Sequence, residues 1–312
     1  MILPNVLGAI GKTPMVRLRR VVPEGCAEVV AKLEFFAPGG SVKDRAALSM
    51  IADAEAKGLL APGATVVEAS AGNTGVGLAL VCAVKGYRCI IVLPKSVSID
   101  KRSVLDALGA EVVLARVDVE PSDPEGYIGK AEALAKELGA FCPDQFENPA
   151  NPDAHFRTTG EEILEDCAGE LDAFVACVGS GGTLGGITRL FRERAPHVRI
   201  VGAAPERSTC LGDAGQTLVE GIVEDLASCA GQGVAPDVVV HVPDREAIGM
   251  MLRLAKEEAI LAGGSAGVAV QAAVQIAREL GPGKRVVTLL ADTGRNYTST
   301  YFNRAWREAH GI

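Results

Sequence analysis

The stretch Thr65-Val-Val-Glu-Ala-Ser-Ala-Gly-Asn-Thr-Gly-Val-Gly-Leu-Ala-Leu-Val-Cys-Ala-Val-Lys-Gly-Tyr-Arg-Cys-Ile-Ile-Val-Leu93 holds a complete structural unit. Thr65–Glu68 opens with β-branched residues, Gly75–Lys85 has the length and composition of a helix, and Arg88–Leu93 is an apolar run without alternation. A strand lacking the period of two is one buried on both faces, as in a parallel sheet covered by helices. Strand, small-residue loop, helix and strand, in that order, make a βαβ unit.

The pattern continues in both directions. Further strands are predicted over Ala27–Leu33, Glu111–Leu114, Ala173–Val178, Arg199–Ala204, Val238–Val242 and Arg285–Leu290. Helices are predicted over Lys43–Lys57, Ile99–Leu108, Gly126–Leu138, Pro152–Cys167, Leu184–Arg194, Arg245–Glu257 and Gly267–Leu280. The fold class is α/β, with mostly parallel sheets carrying helices on both faces. Polar, turn-rich seams are expected at Val119–Gly126 and Ser208–Gln216, with a second sheet starting near residue 145.

Composition removes whole classes of function. At 312 residues, 48% hydrophobic and a mean hydropathy of +0.22, the chain can bury a large core. Its 31 Lys plus Arg against 39 Asp plus Glu give a net charge of -8, unsuited to neutralising nucleic-acid phosphates. Apolar runs such as Val76–Val84 and Val286–Ala291 are far shorter than the ~20 residues of a membrane span. The Met-Ile-Leu-Pro start has no secretory pattern. The eight cysteines form no C-x-x-C, and the histidines (155, 197, 241, 310) are scattered, so no metal site is expected. Cys82, Cys89 and Cys177 lie in apolar runs and read as buried thiols. These features together point to a soluble cytoplasmic protein.

In open α/β sheets, ligands gather beyond the strand C-termini, so the loops after strands carry the chemistry. Four stand out. Glu34 to Arg45 ends in Pro-Gly-Gly-Ser-Val-Lys-Asp-Arg, placing Lys43 in a helix's first turn. The positive helix end and Arg45 disfavour an ammonium there, and a neutral amine is what Schiff-base chemistry needs. Ala69-Ser-Ala-Gly-Asn-Thr-Gly75 offers the Ser70 and Thr74 hydroxyls, the Asn73 amide and backbone N–H groups to a carboxylate. Gly179-Ser-Gly-Gly-Thr183 opens a helix and can cradle one phosphate; it is neither G-x-G-x-x-G nor a Walker loop. Leu261-Ala-Gly-Gly-Ser-Ala-Gly-Val268 opens another helix, with Ser265 as its expected cap.

Taken jointly, these loops resemble the pyridoxal phosphate (PLP) enzymes of the cysteine synthase (O-acetylserine sulfhydrylase) and cystathionine β-synthase family. The resemblance rests on Ile10-Gly-Lys-Thr-Pro-Met-Val-Arg-Leu18, Pro38-Gly-Gly-Ser-Val-Lys-Asp-Arg45, Ser70-Ala-Gly-Asn-Thr-Gly75, Gln145-Phe-Glu-Asn-Pro-Ala-Asn-Pro152, Gly179-Ser-Gly-Gly-Thr183 and Gly263-Gly-Ser-Ala-Gly267. These come in the family's order and cover essentially the whole chain.

The resemblance implies PLP fold type II, tryptophan synthase β-like, with two α/β domains and the cofactor in the cleft between them. It implies a smaller domain of residues 41–145 and a larger one of 1–40 plus 146–312. It also implies the role of each site residue. Lys43 is the Schiff-base lysine and the catalytic base. Gly179, Ser180, Gly181, Gly182 and Thr183 bind the PLP phosphate, and Asn73 the 3′-oxygen. Ser265 faces the pyridine nitrogen. Ser70, Gly72, Thr74 and Gln145 hold the substrate carboxylate. A neutral serine opposite the nitrogen suits β-elimination followed by addition, through an aminoacrylate, because a leaving group drains the electrons. The implied partners are a small amino acid and sulfide or a thiol, and the implied assembly is a homodimer.

Several positions depart from the family. Thr-Ser-Gly-Asn-Thr reads Ser70-Ala-Gly-Asn-Thr74, Asn before Pro38 is Ala37, and Gly-Ile-Gly reads Gly221-Ile-Val223 followed by Glu224 and Asp225. At the entrance that the resemblance implies, those two carboxylates would repel hydrosulfide and attract the ammonium of homocysteine, a solvated acidic turn being the alternative, and Arg207 complicates the reading of an O-phosphoserine donor. The chain is also expected to lack the haem segment and regulatory domains of long cystathionine β-synthases. Cysteine synthase and cystathionine β-synthase remain open as alternatives. Gly86-Tyr-Arg-Cys-Ile-Ile-Val92 and Arg295-Asn-Tyr297 look more like the latter. A serine/threonine dehydratase and a non-enzymatic scaffold are further readings, and Lys43, Asn73 and Ser265 argue against the scaffold.

Overall fold

A computed structural model describes residues 2–97, 99–206, 217–222, 233 and 235–312. The expected seam at Ser208–Gln216, together with Arg207, Glu224 and Asp225, lies outside the described residues. In chain order the strands are β1 (Met15–Leu18), β2 (Glu28–Leu33), β3 (Thr65–Ala69), β4 (Arg88–Pro94), β5 (Glu111–Ala115), β6 (Ala173–Cys177), β7 (Arg199–Pro205), β8 (Val238–Val242) and β9 (Arg285–Leu290). The helices are α1 (Lys43–Ala56), α2 (Asn73–Lys85), α3 (Ile99–Ala107), α4 (Tyr127–Leu138), α5 (Ala150–Ala154), α6 (Gly160–Asp166), α7 (Gly182–Arg194), α8 (Asp244–Glu257), α9 (Gly264–Leu280) and α10 (Arg304–Ala309). None of the described helices is long and apolar enough to cross a membrane.

Two compact units divide the chain: Met1–Ile10 with Ala37–Asn151, and Gly11–Phe36 with Pro152–Ile312. In the first, β3, β4 and β5 form a parallel sheet, with Thr65 opposite Arg88 and Ile90 opposite Glu111. Alternate residues of β4 feed two cores. Cys89, Ile91 and Leu93 pack with Ala47, Met50 and Leu78 of α1 and α2, while Ile90 and Val92 pack with Ala131 and Ala135 of α4. The two-sided burial expected of Arg88–Leu93 is thus observed. Val119–Gly126, expected as a seam, is a turn inside this unit.

The second unit is a six-stranded sheet in the order β1-β2-β9-β6-β7-β8. All its pairs are parallel except β1 with β2. Ala173 and Val175 of β6 point into the core shared with α8 and α9, while Phe174 and Ala176 point into the core shared with α6 and α7. Burying a residue the size of Phe174 contributes about 2–3 kcal/mol, and its ring meets Phe191 of α7 edge-on at 5.7 Å.

Two expectations need correction. The four-residue β1 is absent from the strands expected of the sequence: it is short, carries Arg17 and gains its order from pairing with β2. The single helix expected over Pro152–Cys167 is instead α5, a π-helical turn His155–Thr159, and α6. Within that turn Thr158 Oγ1 donates to the Ala154 carbonyl at 2.6 Å. A Cβ on Gly186 of α7 would collide with the Pro152 carbonyl and lie 3.0 Å from His155 Cβ. The turn therefore docks on α7 at a position only glycine permits, a tertiary cause that helical periodicity does not encode.

Candidate functional site

The expected site residues fall into two sets, one in each unit. In the first unit Lys43 begins α1 and is half-buried. The preceding loop folds onto itself: Gly40 N–H donates to the Ala37 carbonyl at 2.8 Å, Gly39 N–H to Asp44 Oδ2 at 2.6 Å, and Lys43 N–H to Ser41 Oγ at 3.2 Å. Gly40 has φ +78°, a value that favours glycine. Gly77 of α2 packs on this corner, and a Cβ there would lie 3.0 Å from the Lys43 carbonyl oxygen. The amine-bearing turn is thereby held against the next helix.

The loop after β3 supplies the other groups of this set. Ser70 Oγ accepts from Gly75 N–H at 2.9 Å and from Gly72 N–H at 3.3 Å, shaping the start of α2. That helix has Gly72 as its N-cap and no side chain capping from that position. Asn73, half-buried, is its first residue, and buried Thr74 follows. Thr74 Oγ1 donates to Gln145 Oε1 at 2.6 Å, and Asn151 Nδ2 donates to the Gln145 carbonyl at 2.8 Å. The structure therefore brings together Ser70, Gly72, Asn73, Thr74 and Gln145. Sequence reasoning missed one member. Glu68, buried at the end of β3, accepts the Asp144 N–H at 2.9 Å and so fixes the residue beside Gln145. Burial, reinforced by the nearby Asp144 charge and only partly offset by N–H bonds from Asp144 and Gln145, pushes its carboxyl up to about 8. The available signal was a carboxylate inside an otherwise apolar strand.

In the second unit β6 runs into Gly179–Thr183, and α7 starts at Gly182 rather than at the expected Leu184. Gly181, its N-cap, has φ +85° and the helix has no side-chain cap. Backbone donors at the start of a helix, with the Ser180 and Thr183 hydroxyls beside them, form a donor set suited to one anion. α9 likewise starts earlier than expected, at Gly264, with Gly263 as its N-cap. Ser265 is thus inside the first turn and not the cap, which leaves its hydroxyl outside the helix's capping. Its carbonyl accepts from the Cys177 thiol at 3.3 Å. Burial pushes that thiol up to about 12, so it stays protonated at neutral pH.

Sequence reasoning also missed a second feature. His155 Nε2 lies 3.3 Å from Thr183 Oγ1, and Nδ1 lies 2.9 Å from Thr159 Oγ1. Nothing local marks a histidine 28 residues upstream as a neighbour of this loop. A polar pair four apart in a helical stretch was the only trace.

Comparison with known proteins identifies the family. The family described as "Pyridoxal-phosphate dependent enzyme" matches residues 6–292. A cysteine synthase of Staphylococcus aureus (strain Mu50) is 46% identical, over 95% of this chain and 96% of that protein. A cystathionine β-synthase of Oryctolagus cuniculus is 45% identical, over all of this chain and 58% of that protein. The crystal structure of an O-ureido-L-serine synthase superposes with a TM-score of 0.87 at 40% identity, covering 96% of this chain and 95% of that one.

Proposed function

The chain belongs to the pyridoxal-phosphate dependent enzyme family, with the type II fold of its cysteine synthase and cystathionine β-synthase relatives, and from that premise we propose its reaction. It replaces the β-substituent of serine or an O-activated serine by a sulfur nucleophile. The leading form is cysteine synthesis from O-acetylserine and sulfide. One observation carries the reading: Lys43, at the first position of α1, is packed on α2, whose first turn carries Asn73 and the Thr74–Gln145 pair.

The donor sets fit the cofactor. Gly179, Ser180, Gly181, Gly182 and Thr183 supply N–H and O–H donors for its phosphate at an uncapped helix start. Asn73 supplies an amide for the ring 3′-oxygen, and Ser265 a neutral hydroxyl for the pyridine nitrogen. When bound, pyridoxal phosphate supplies a carbonyl for the substrate amine and a ring that delocalises electrons from Cα. Lys43 Nζ would hold it covalently and, once freed by the incoming substrate amine, would take the proton from substrate Cα and return one at the end. Ser70, Gly72, Thr74 and Gln145 hold the substrate carboxylate, which takes over donors now turned on one another. The proposed domains, 41–145 and 1–40 plus 146–312, are supported by the two compact units, although residues 1–10, 37–40 and 146–151 cluster with the first.

Cystathionine synthesis from serine and homocysteine is the second reading, favoured by the 45% identity to the Oryctolagus cuniculus enzyme across this whole chain. Competition decides between them: O-acetylserine or serine with equal sulfide and homocysteine, followed by quantification of cysteine and cystathionine. Excess cysteine supports the leading form, excess cystathionine the second, and pyruvate with ammonia alone a serine/threonine dehydratase. The proposal includes a cytoplasmic homodimer acting on small amino acids. Light scattering at micromolar concentration tests the dimer.

A further inference from the structure

A hydroxyl in an anion cradle helps only if its proton points at the anion. Thr183 Oγ1 has a second neighbour that decides this, His155 Nε2 at 3.3 Å. The other ring nitrogen meets Thr159 Oγ1 at 2.9 Å. His155 is 1% exposed and Thr159 fully buried, so bulk water does not reach the ring. In the neutral ring one nitrogen donates and the other accepts, so Thr159 and Thr183 then play opposite parts. With the proton on Nδ1, Nε2 accepts from Thr183 and takes away the proton the anion needs. With the proton on Nε2, Thr183 accepts from the ring and its own O–H is released to donate, while Thr159 donates to Nδ1.

We propose that His155 is a positioning residue, held as the Nε2–H tautomer, and that the chain Thr159–His155–Thr183 directs the Thr183 hydroxyl proton into the Gly179–Thr183 cradle. This rests on the reading that the cradle holds the PLP phosphate. The surrounding packing serves that alignment. His155 begins the π-helical turn, and such turns recur at functional sites. Gly186 stands one turn along α7 from Thr183, and a Cβ there would lie only 3.0 Å from His155 Cβ. Ring and hydroxyl are thus fixed by one helix contact. Gly160, at the other end of the turn, packs on Leu190 of the same helix, where a Cβ would come within 2.7 Å of Leu190 Cδ2. The hydroxyl chain is docked at both ends onto the element that carries the cradle.

The test uses the holoenzyme. ¹⁵N-histidine NMR should show His155 protonated at Nε2 and bare at Nδ1; the reverse tautomer overturns the inference. His155→Gln places an amide near the Nε2 position and should retain PLP within about threefold of wild type, whereas His155→Asn should loosen it about tenfold, as for a hydrogen bond to a charged group. His155→Asn should also move the ³¹P resonance of bound PLP, and should add less than about twofold in a Thr183→Val background, because both act through one hydroxyl. Equal losses in Asn and Gln variants, or multiplying losses in the double mutant, overturn it. If His155→Asn does not fold, the wild-type tautomer still decides. The underlying reading fails separately: wild type that retains no PLP, or a ³¹P resonance indifferent to Thr183→Val, removes the phosphate from this loop.

Discussion

Thr74 Oγ1 donates a 2.6 Å hydrogen bond to Gln145 Oε1, joining the start of α2 to a loop 71 residues further on. Both side chains are buried, so each satisfies the other where water does not. A substrate carboxylate arriving here would take over the Thr74 proton that Gln145 Oε1 now accepts. Thr74→Val should therefore raise KM for the amino acid about tenfold while PLP content stays at wild type, read by steady-state kinetics and cofactor absorbance. Unchanged KM would remove Thr74 from carboxylate binding.

Glu68 gives the fold a pH dependence of defined sign. Below about pH 4.5 the native and unfolded carboxyls both hold a proton, and the group contributes nothing to the difference. From there to about 8 the unfolded chain ionises while the buried carboxyl stays neutral, so stability falls as pH rises. Glu68→Gln, which keeps an oxygen for the Asp144 N–H, should become progressively more stable than wild type across that window. The gain at pH 9 should be on the order of a few kcal/mol in urea unfolding. A constant difference at all pH values would show that the native carboxyl is ionised.

Ser265 tests the electronics of the site. Its hydroxyl plays no part in capping α9, and the proposal gives it to the pyridine nitrogen. Ser265→Asp puts a carboxylate there and should protonate the nitrogen, lowering β-replacement at least about 100-fold with PLP still bound. Wild-type kcat in this variant would assign another group to the nitrogen.

Gly186→Ala tests the packing behind the cradle. The added methyl meets the Pro152 carbonyl and His155 Cβ and should destabilise the protein by about 1–3 kcal/mol, the usual cost of overpacking. Denaturant unfolding measures it. A neutral result would mean that α7 and the π-helical turn separate easily.

Much of this was legible in the sequence, for reasons visible in particular residues. Cys89 to Leu93 are apolar in succession because helices cover both faces of β4. The loops at 38–45, 70–75 and 179–183 stand out because a helix start that binds a ligand needs glycine, hydroxyl and amide groups in place of apolar ones. That same composition hid the true starts of α7 and α9, since Gly182 and Gly264 carry no pattern to read. The π-helical turn was illegible because its cause, the fit of Gly186 against Pro152 and His155, is tertiary. His155 and Glu68 were missed for a related reason. Each has a contact, with Thr183 and with Asp144, that joins residues distant in sequence.

The most direct measurement concerns Lys43 and turnover together. Holoenzyme given O-acetylserine and sulfide should release cysteine, and borohydride reduction before substrate should leave the pyridoxyl group on the Lys43 peptide by mass spectrometry. Lys43→Ala should lose both the label and at least about 1,000-fold of the rate, as expected when a covalent anchor and proton carrier is removed. Cysteine formation at the wild-type rate by Lys43→Ala, or a pyridoxyl label on a different lysine, would contradict the account.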